Sequence, residues 1–136
     1  MAREILFKAK RISDGKWIEG FYVAQYGCHQ IYLPNGVDCE NGFDYYHIDI
    51  NTLCQYTGLT DKNGNKIWEN DVVNRNEKFY EIVKYFQGDY VLDYSYALGK
   101  EEGTNYCNLG FYCCEINCVE VIGNIFDNPE LLGGGE

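Results

Sequence analysis

The sequence predicts an all-β protein, built as a small SH3-like barrel or curved sheet with N-terminal strands packed on it. Short runs of β-favouring residues alternate with glycine-containing turns, which is the pattern of antiparallel strands. Helical signals are few, since no amphipathic run is longer than about three helical turns. Aromatic residues make up 16% of the 136 residues and only two prolines occur. The chain therefore has the composition and length of one folded domain.

The N-terminal strands are expected within residues 1–56. Residues 13–16 have turn chemistry, so the runs on either side of them are predicted to pair as a hairpin. Residues 34–36 (Pro-Asn-Gly) give a second turn signal, and we expect a loop over residues 34–44. The extended segments predicted in this part are 5–10, 17–23, 30–33, 45–50 and 52–56.

The centre of the chain has the strongest turn chemistry. Asn63-Gly64 is the preferred pair of a type I′ turn, in which both central residues have positive φ, so a hairpin is predicted there. Asn70 precedes the run that begins at Asp71. Because Asn tolerates the left-handed conformation, we predict a bend with positive φ at Asn70. Gly58 is expected to mark another corner for the same backbone reason.

The barrel-like part is expected over about residues 57–126, with the five-stranded barrel itself starting near residue 66 and a C-terminal tail over residues 127–136. Gln87-Gly88 is predicted to join two of its strands tightly. The strands predicted in this part are 71–74, 79–86, 89–96 and 118–126.

Three segments of the second half are expected to be less regular. Residues 98–108 are predicted to form an exposed loop. The run 111–116 fits either a strand or one helical turn. Residues 129–132 are predicted to form a single helical turn, because proline is favoured at the first helical position.

Several segments of the chain carry a family resemblance. They are the opening run 3–9, the central runs 55–64 (Gln-Tyr-Thr-Gly-Leu-Thr-Asp-Lys-Asn-Gly) and 67–73 (Ile-Trp-Glu-Asn-Asp-Val-Val), and the closing run 121–132. Together they resemble the YopX family of small phage and prophage proteins. That family usually has glycine where this chain has Asn70, which agrees with a positive φ at this position. The resemblance implies one mostly β domain and a phage context. Since the family has no established activity, the resemblance implies no catalytic residue.

The charge of the chain restricts its partners. Eleven basic and 21 acidic residues give a formal charge of −10, which repels phosphates, so no direct binding to nucleic acid is expected. The charge could serve solubility, attract a basic protein, or mimic a nucleic-acid backbone. The first apolar run spans only residues 5–7, and no run approaches the roughly 20 residues of a membrane span. We therefore expect a protein of the bacterial host cytoplasm with no membrane contact.

The cysteines were considered as metal ligands and nucleophiles. Zinc sites favour cysteine pairs with two to four residues between them; Cys114 and Cys118 have this spacing, but further ligands such as His29 or His47 would have to come from distant segments. Cys28 and its neighbour His29 would point to opposite faces of a strand. In a reducing cytosol we expect free thiols, no metal site and no cofactor. The seven cysteines are Cys28, Cys39, Cys54, Cys107, Cys113, Cys114 and Cys118.

Carboxylates are the other candidates for chemistry. Glu69 and Asp71 are two residues apart and would share a face of one strand, unless a bend between them breaks the strand. Asp61 lies in the preceding turn, and Asp89 and Asp93 form a further pair on one strand. Such groups can act as acid and base or bind a hard metal such as Mg²⁺. Their commoner roles are as turn caps, as acceptors of backbone N–H groups and in protecting edge strands.

Tyrosine is unusually frequent in this chain, with 13 residues. Its large apolar ring and polar tip suit a protein interface, and they suit the wet rim of a small sheet equally well. The tyrosines considered for an interface are Tyr45, Tyr46, Tyr80, Tyr85, Tyr90, Tyr94, Tyr96, Tyr106 and Tyr112.

These observations predict a non-enzymatic accessory protein of phage type. We expect it to act through contacts with an unidentified protein partner or with further copies of itself, as a homo-oligomer. Two alternatives stay open. One is an acidic decoy that occupies the nucleic-acid groove of a host enzyme, and the other is a metal-dependent hydrolase that uses Glu69, Asp71 or Asp61.

Overall fold

The computed structural model describes residues 4–36, 42, 44–75 and 79–133, and it shows an all-β protein. All the sheet pairings recorded between strands are antiparallel. The strands, in chain order, are β1 (Phe7–Lys10), β2 (Trp17–Gln25), β3 (Cys28–Tyr32), β4 (Tyr45–His47), β5 (Cys54–Thr60), β6 (Lys66–Trp68), β7 (Asp71–Asn74), β8 (Glu81–Phe86), β9 (Asp89–Asp93), β10 (Tyr106–Asn108) and β11 (Glu120–Asn124). Residues 37–41, part of the expected 34–44 loop, and residues 134–136 of the expected tail lie outside the described residues.

Helical segments in the described residues are all short. The run that fitted either a strand or a helical turn forms a π-helix, Phe111–Ile116. The terminal turn predicted after Pro129 is confirmed as α1, Glu130–Gly133. Two 3₁₀ turns complete the set, Ile50–Thr52 and Ser95–Leu98.

Contacts divide the chain into two compact units, Met1–Tyr56 and Thr57–Glu136, with β5 running through the boundary. The strands form a six-stranded sheet in the order β4-β3-β2-β1-β5-β6 and a five-stranded sheet in the order β10-β9-β8-β7-β11. The second sheet has β10 and β11 at its edges, so the SH3-like barrel expected there is not confirmed. The all-β class holds.

The first unit is built on strands β1 to β4. The predicted N-terminal hairpin is confirmed, with Ala9 opposite Ile18. The residues after β1 also bond to the end of β4, since the Ile12 N–H donates to the His47 carbonyl at 3.0 Å. One face of these strands forms the core around Ala9, Ile18, Ile31 and Ile48.

The second unit packs its core against one face of the five-stranded sheet. The π-helix contributes Cys113 to this core. Burying these apolar side chains is the main force that holds the unit together. The buried cluster consists of Ile67, Val73, Val83, Leu92, Leu109, Cys113 and Val119.

The turns confirm some backbone predictions and correct one. Asn70 has φ 74, as predicted. The hairpin around Asn63-Gly64 is present, but Asn63 does not have a positive φ, so the type I′ prediction is wrong. The Gly64 N–H bonds to the Asp61 carbonyl at 3.0 Å and Gly64 alone is left-handed, with φ 86. This is the geometry of a type I turn followed by a left-handed glycine.

Type I′ geometry occurs instead at two other connections. Tyr26-Gly27 joins β2 to β3 with φ values of 53 and 76. Gln87-Gly88 joins β8 to β9 with φ values of 52 and 85, which confirms the tight connection predicted there. Each pair is flanked directly by paired strand residues, as a two-residue hairpin requires.

Several strands are shorter than predicted because side chains stop them. β9 ends at Asp93, whose carboxylate accepts the Ser95 N–H at 3.0 Å and starts the 3₁₀ turn. β4 ends at His47, and two residues later Asp49 caps the next 3₁₀ turn. The expected loop 98–108 contains β10 at its end. Such Asp and Ser caps compete with strand pairing for the backbone N–H groups.

Candidate functional site

Asp61 organises the turn between β5 and β6. Its Oδ1 accepts the N–H groups of Asn63 and Asn65 at 2.9 Å each, and its Oδ2 accepts the N–H of Val121 at 2.9 Å. Burial alone would raise the pKa of Asp61, but these three donors outweigh it and hold the pKa below its ordinary value. Asp61 is therefore an anion that ties the hairpin to β11.

Glu69 and Asp71 do not share a strand, so their predicted common face is wrong. Asn70 turns the chain between them with its positive φ, and β7 begins only at Asp71. Asp71 is buried and its Oδ2 accepts the Trp68 N–H at 2.8 Å. Glu69 instead lines a cleft of the second unit. The two carboxylates thus have separate surroundings.

Asp93 holds the segment that follows β9. Its Oδ1 accepts the Ser95 hydroxyl at 2.6 Å, its Oδ2 accepts the Gly103 N–H at 3.1 Å, and the Lys84 ammonium lies 3.4 Å from Oδ2. Burial alone would raise the pKa of Asp93, but the hydrogen bonds from Ser95 and Gly103 and the charge of Lys84 bring it below its ordinary value. Asp93 fixes a loop rather than facing open solvent.

Asp89 lies at the other end of β9 from Asp93. Four residues of extended strand separate them by about 13 Å. The Asp89 carboxylate accepts the Tyr90 N–H and the Asn108 side-chain amide. Asp89 and Asp93 therefore cannot hold one metal ion or one reacting group between them.

A buried ion pair that the sequence did not reveal joins Arg75 to Glu81. The Arg75 Nε lies 2.8 and 3.1 Å from the two carboxylate oxygens of Glu81, which is fully buried. The Arg75 guanidinium also stacks on the Tyr112 ring at 4.4 Å. Burial would lower the pKa of Arg75, but the bond to Glu81 raises it above its ordinary value. A buried carboxylate needs such a partner to stay charged.

The described cysteines are free thiols. Six are described, and none of these six is bonded to another. Burial raises the pKa of the Cys113 thiol to about 12, so this thiol is unreactive. Cys28 and His29 diverge as expected, since His29 Nδ1 pairs with the Tyr22 hydroxyl at 2.7 Å while Cys28 is exposed. Among the described residues, no group of three or more His, Cys, Asp or Glu side chains could hold a metal ion.

Lys84 lies between two clefts of the second unit. Its ammonium contacts Asp93 and also the Glu102 carboxylate. The smaller cleft has a volume of about 270 Å³ and includes Phe86 in its lining. The larger has a volume of about 390 Å³ and includes Glu69. Both share Lys84 and Glu102, so these clefts adjoin along β8.

The first unit has an outer face with aromatic side chains in one row. Phe21 on β2 is opposite Tyr32 on β3, and Tyr32 is opposite Tyr45 on β4. The Tyr32 and Tyr45 rings stack with centroids 4.9 Å apart, and His47 meets Tyr45 edge-on at 5.7 Å. Phe21 is 48% exposed and Tyr45 is 36% exposed. We call Phe21, Tyr32, Tyr45 and His47 the aromatic face.

Gln30 lies within this face, opposite Val23 on one side and His47 on the other. The residue is only 7% exposed, and its Oε1 has no hydrogen-bond partner in the part of the chain that the structure describes. An unsatisfied buried carbonyl is costly and unusual in a folded protein. Of the aromatic face, the sequence analysis proposed only Tyr45 for an interface, and it named His47 as a possible metal ligand.

The two units differ strongly in charge. Residues 1–56 contain five basic and seven acidic residues, a formal charge of −2, whereas residues 57–136 contain six basic and fourteen acidic residues, a formal charge of −8. The acidic character of the chain therefore belongs mostly to the second unit. The first unit is close to neutral.

Comparison with known proteins identifies a family for this chain. No helix in the described ranges is long and apolar enough to cross a membrane. No curated protein matches the chain. The family described as "YopX protein" matches residues 9–133, which include the turn at Asp61, the aromatic face and the paired clefts. This protein therefore belongs to the YopX family.

Proposed function

We propose that this protein is a non-enzymatic accessory protein of a phage or prophage, which acts in the bacterial cytoplasm through protein–protein contacts. The observation that carries the proposal is the aromatic face. Phe21, Tyr45 and His47 are exposed and Tyr32 is half-buried, on the side of β2, β3 and β4 opposite the core of the first unit. Exposed aromatic rows of this kind are a feature of binding surfaces.

The surroundings of the aromatic face fit the anatomy of a protein interface. Alternation along β1 and β2 places Lys8 opposite Glu19 on the same side of the sheet as Phe21. A centre of aromatic rings with charged residues around it is the usual arrangement, because the rings supply buried area and the rim stays wet.

The surroundings of the carboxylates support a role without catalysis. Asp61 and Asp71 accept backbone N–H groups of their own chain, and the low pKa of Asp61 makes this carboxylate a weak base. Burial of several carboxylates argues against the decoy alternative, because a buried acid cannot imitate a phosphate. The buried acids are Asp61, Asp71, Glu81 and Asp93.

The proposal is tested by partner capture with variants of the aromatic face. Tagged wild-type protein and the Phe21→Ser/Tyr45→Ser variant are incubated with lysate of a prophage-carrying host, and bound proteins are quantified by mass spectrometry. Self-association is measured in parallel by analytical ultracentrifugation. Tyr26→Asn is the matched control, because Tyr26 is 98% exposed but lies at a hairpin tip where Asn accepts the positive φ.

The proposal expects one reproducible partner or a defined oligomer with wild type and with Tyr26→Asn. The Phe21→Ser/Tyr45→Ser variant should lose this association by at least about tenfold, as truncation of aromatic anchors does. Absence of any partner and of any oligomer would contradict the proposal. Equal association of all three proteins would also contradict it.

A further inference from the structure

The paired clefts of the second unit form one groove along β8. Lys84 and Glu102 border both of them, with Phe86 and Asp93 in the smaller cleft and Glu69 and Ile82 in the larger. We call these six residues the acidic groove. Ile82 and Phe86 lie two positions on either side of Lys84, so alternation places all three on one face of β8.

Sheet register explains why Lys84 meets Asp93 in this groove. Lys84 is directly opposite Val91 on β9, and Asp93 is two residues further along, on the same face. The Lys84 ammonium therefore reaches Asp93 diagonally, at 3.4 Å. Asp93 also holds Ser95 and Gly103, which fixes the segment that carries Glu102.

Glu102 is the accessible carboxylate of the acidic groove. Its side chain is 73% exposed, whereas that of Asp93 is 4% exposed. Lys84 already bonds to Glu102, so this lysine occupies the groove as an internal cation. Among the described lining residues, Asp93 and Glu102 share the Lys84 ammonium, so two carboxylates meet one cation, and the second unit as a whole has a formal charge of −8. The groove therefore favours a further cation and repels anions.

The apolar part of the acidic groove specifies what kind of cation fits. Ile82 is buried among the lining residues of the larger cleft, and Phe86 contacts Tyr106 at a centroid distance of 5.0 Å in the smaller. Lys and Arg side chains place an aliphatic stem on apolar surface and keep the charged head at its edge. A free metal ion would gain nothing from this apolar part.

We propose that the acidic groove binds a segment of a protein partner that contains Lys or Arg and apolar residues. The cationic head of the segment competes with Lys84 for Glu102, while its stem and apolar neighbours contact Ile82 and Phe86. This inference rests on the proposed function in one respect, which is that the protein acts by binding other proteins. The surface is a different one, in the other unit.

The test uses the full chain and a fluorescein-labelled nonapeptide of three Gly-Leu-Arg repeats, with binding followed by fluorescence anisotropy at about 50 mM salt, where the charges are little screened. Two companion peptides replace every Arg by Glu or every Leu by Ser. The proposal expects the Gly-Leu-Arg peptide to bind most tightly and its affinity to fall as salt is raised. Equal binding of the Glu peptide would overturn the proposal.

Variants of the protein then test whether the peptide binds at the acidic groove. Glu69→Gln/Glu102→Gln should weaken peptide binding about tenfold. Loss of each partly exposed charge is expected to weaken it about two- to fivefold, and the two factors multiply. The control Glu115→Gln/Glu120→Gln changes the net charge equally, and both residues are absent from the lining of the clefts; it should change the affinity less than about twofold. Equal weakening by the two double variants would mean diffuse attraction and would overturn the proposal.

Lys84→Met independently tests the direction in which Lys84 affects peptide affinity. Because it releases Glu102, it should tighten peptide binding several-fold, and weaker binding by the folded variant would contradict the competition. Phe21→Ser/Tyr45→Ser should leave peptide affinity unchanged. If Phe21→Ser/Tyr45→Ser loses partner capture but still binds the peptide, the result supports binding at the aromatic face and does not contradict binding at the acidic groove. The two proposals can therefore be refuted separately.

Discussion

Replacing Asp61 by Asn tests whether this carboxylate is structural. The Asn side chain keeps one oxygen for the N–H groups of Asn63 and Asn65 but presents an NH₂ group to the N–H of Val121, where Oδ2 now accepts at 2.9 Å. One bond to a charged acceptor is lost and two donors face each other in a site that is 5% exposed. We expect the free energy of unfolding to fall by about 2 kcal/mol, and by about 4 kcal/mol for Asp61→Ala, which abandons all three donors.

The loss should depend on pH in a defined direction. The pKa of Asp61 is lower in the folded protein than its ordinary value of 3.8, so the folded state favours the anion. This carboxylate therefore contributes stability above the unfolded-state pKa, and the contribution is lost as the pH falls through the folded-state pKa. The difference between wild type and Asp61→Asn should be largest near neutral pH and shrink as the pH falls below the ordinary value of 3.8 toward the lower folded-state pKa.

Urea denaturation followed by fluorescence measures both effects, because a change of midpoint at constant slope is a change of stability. Glu115→Gln is the control, since the same chemical change on an exposed side chain should alter stability by less than about 0.5 kcal/mol. An Asp61→Asn protein as stable as wild type at neutral pH would refute the structural role. A destabilisation that is constant down to pH 2 would refute the assignment to the charged form.

Three further results are expected. Asn70→Ala should be less stable than Asn70→Gly by about 1 kcal/mol in the same denaturation assay, because φ 74 strains a Cβ; equal stabilities would contradict this. Arg75→Met should lower the free energy of unfolding by about 3–5 kcal/mol, and Arg75→Met/Glu81→Leu should recover at least half of that loss, because the double variant leaves no buried charge. Iodoacetamide at pH 8 should alkylate Cys113 at least about a hundredfold more slowly than the exposed Cys114, because burial raises the pKa of the Cys113 thiol to about 12. Peptide mass spectrometry measures the two rates, and comparable rates would show that Cys113 is accessible.

Local backbone chemistry was predictable where no distant group intervened. Asn70 and Gln87-Gly88 have the backbone geometry that their sequence predicts. Asn63-Gly64 has the strongest type I′ preference in the chain, yet Asp61 changes its turn by bonding the N–H groups of Asn63 and Asn65. The same carboxylate is held by Val121, 60 residues away. A single-sequence prediction of turn type cannot include a partner so distant in the chain.

Part of the site geometry was also available from the sequence. A two-residue turn at Gln87-Gly88 fixes the register of β8 and β9, and that register places Lys84 diagonal to Asp93. The turn at Tyr26-Gly27, which was not predicted from the sequence, likewise fixes Phe21 opposite Tyr32. The position of β4 was not available in this way, because a long connection precedes it and its length sets no register.

Carboxylates that serve the fold are poor candidates for catalysis at neutral pH. A general base works best with a pKa near the operating pH. Backbone N–H donors hold the pKa of Asp61 below the ordinary value, and the Ser95 hydroxyl together with backbone N–H donors does the same for Asp93. Raising either pKa toward neutrality would require removing the N–H donors that stabilise the turn or the loop. Stability and acid–base catalysis therefore make opposite demands on these two side chains. The exposed aromatic face and the accessible Glu102 are under no such constraint, which is why binding, rather than chemistry, is the function to test first.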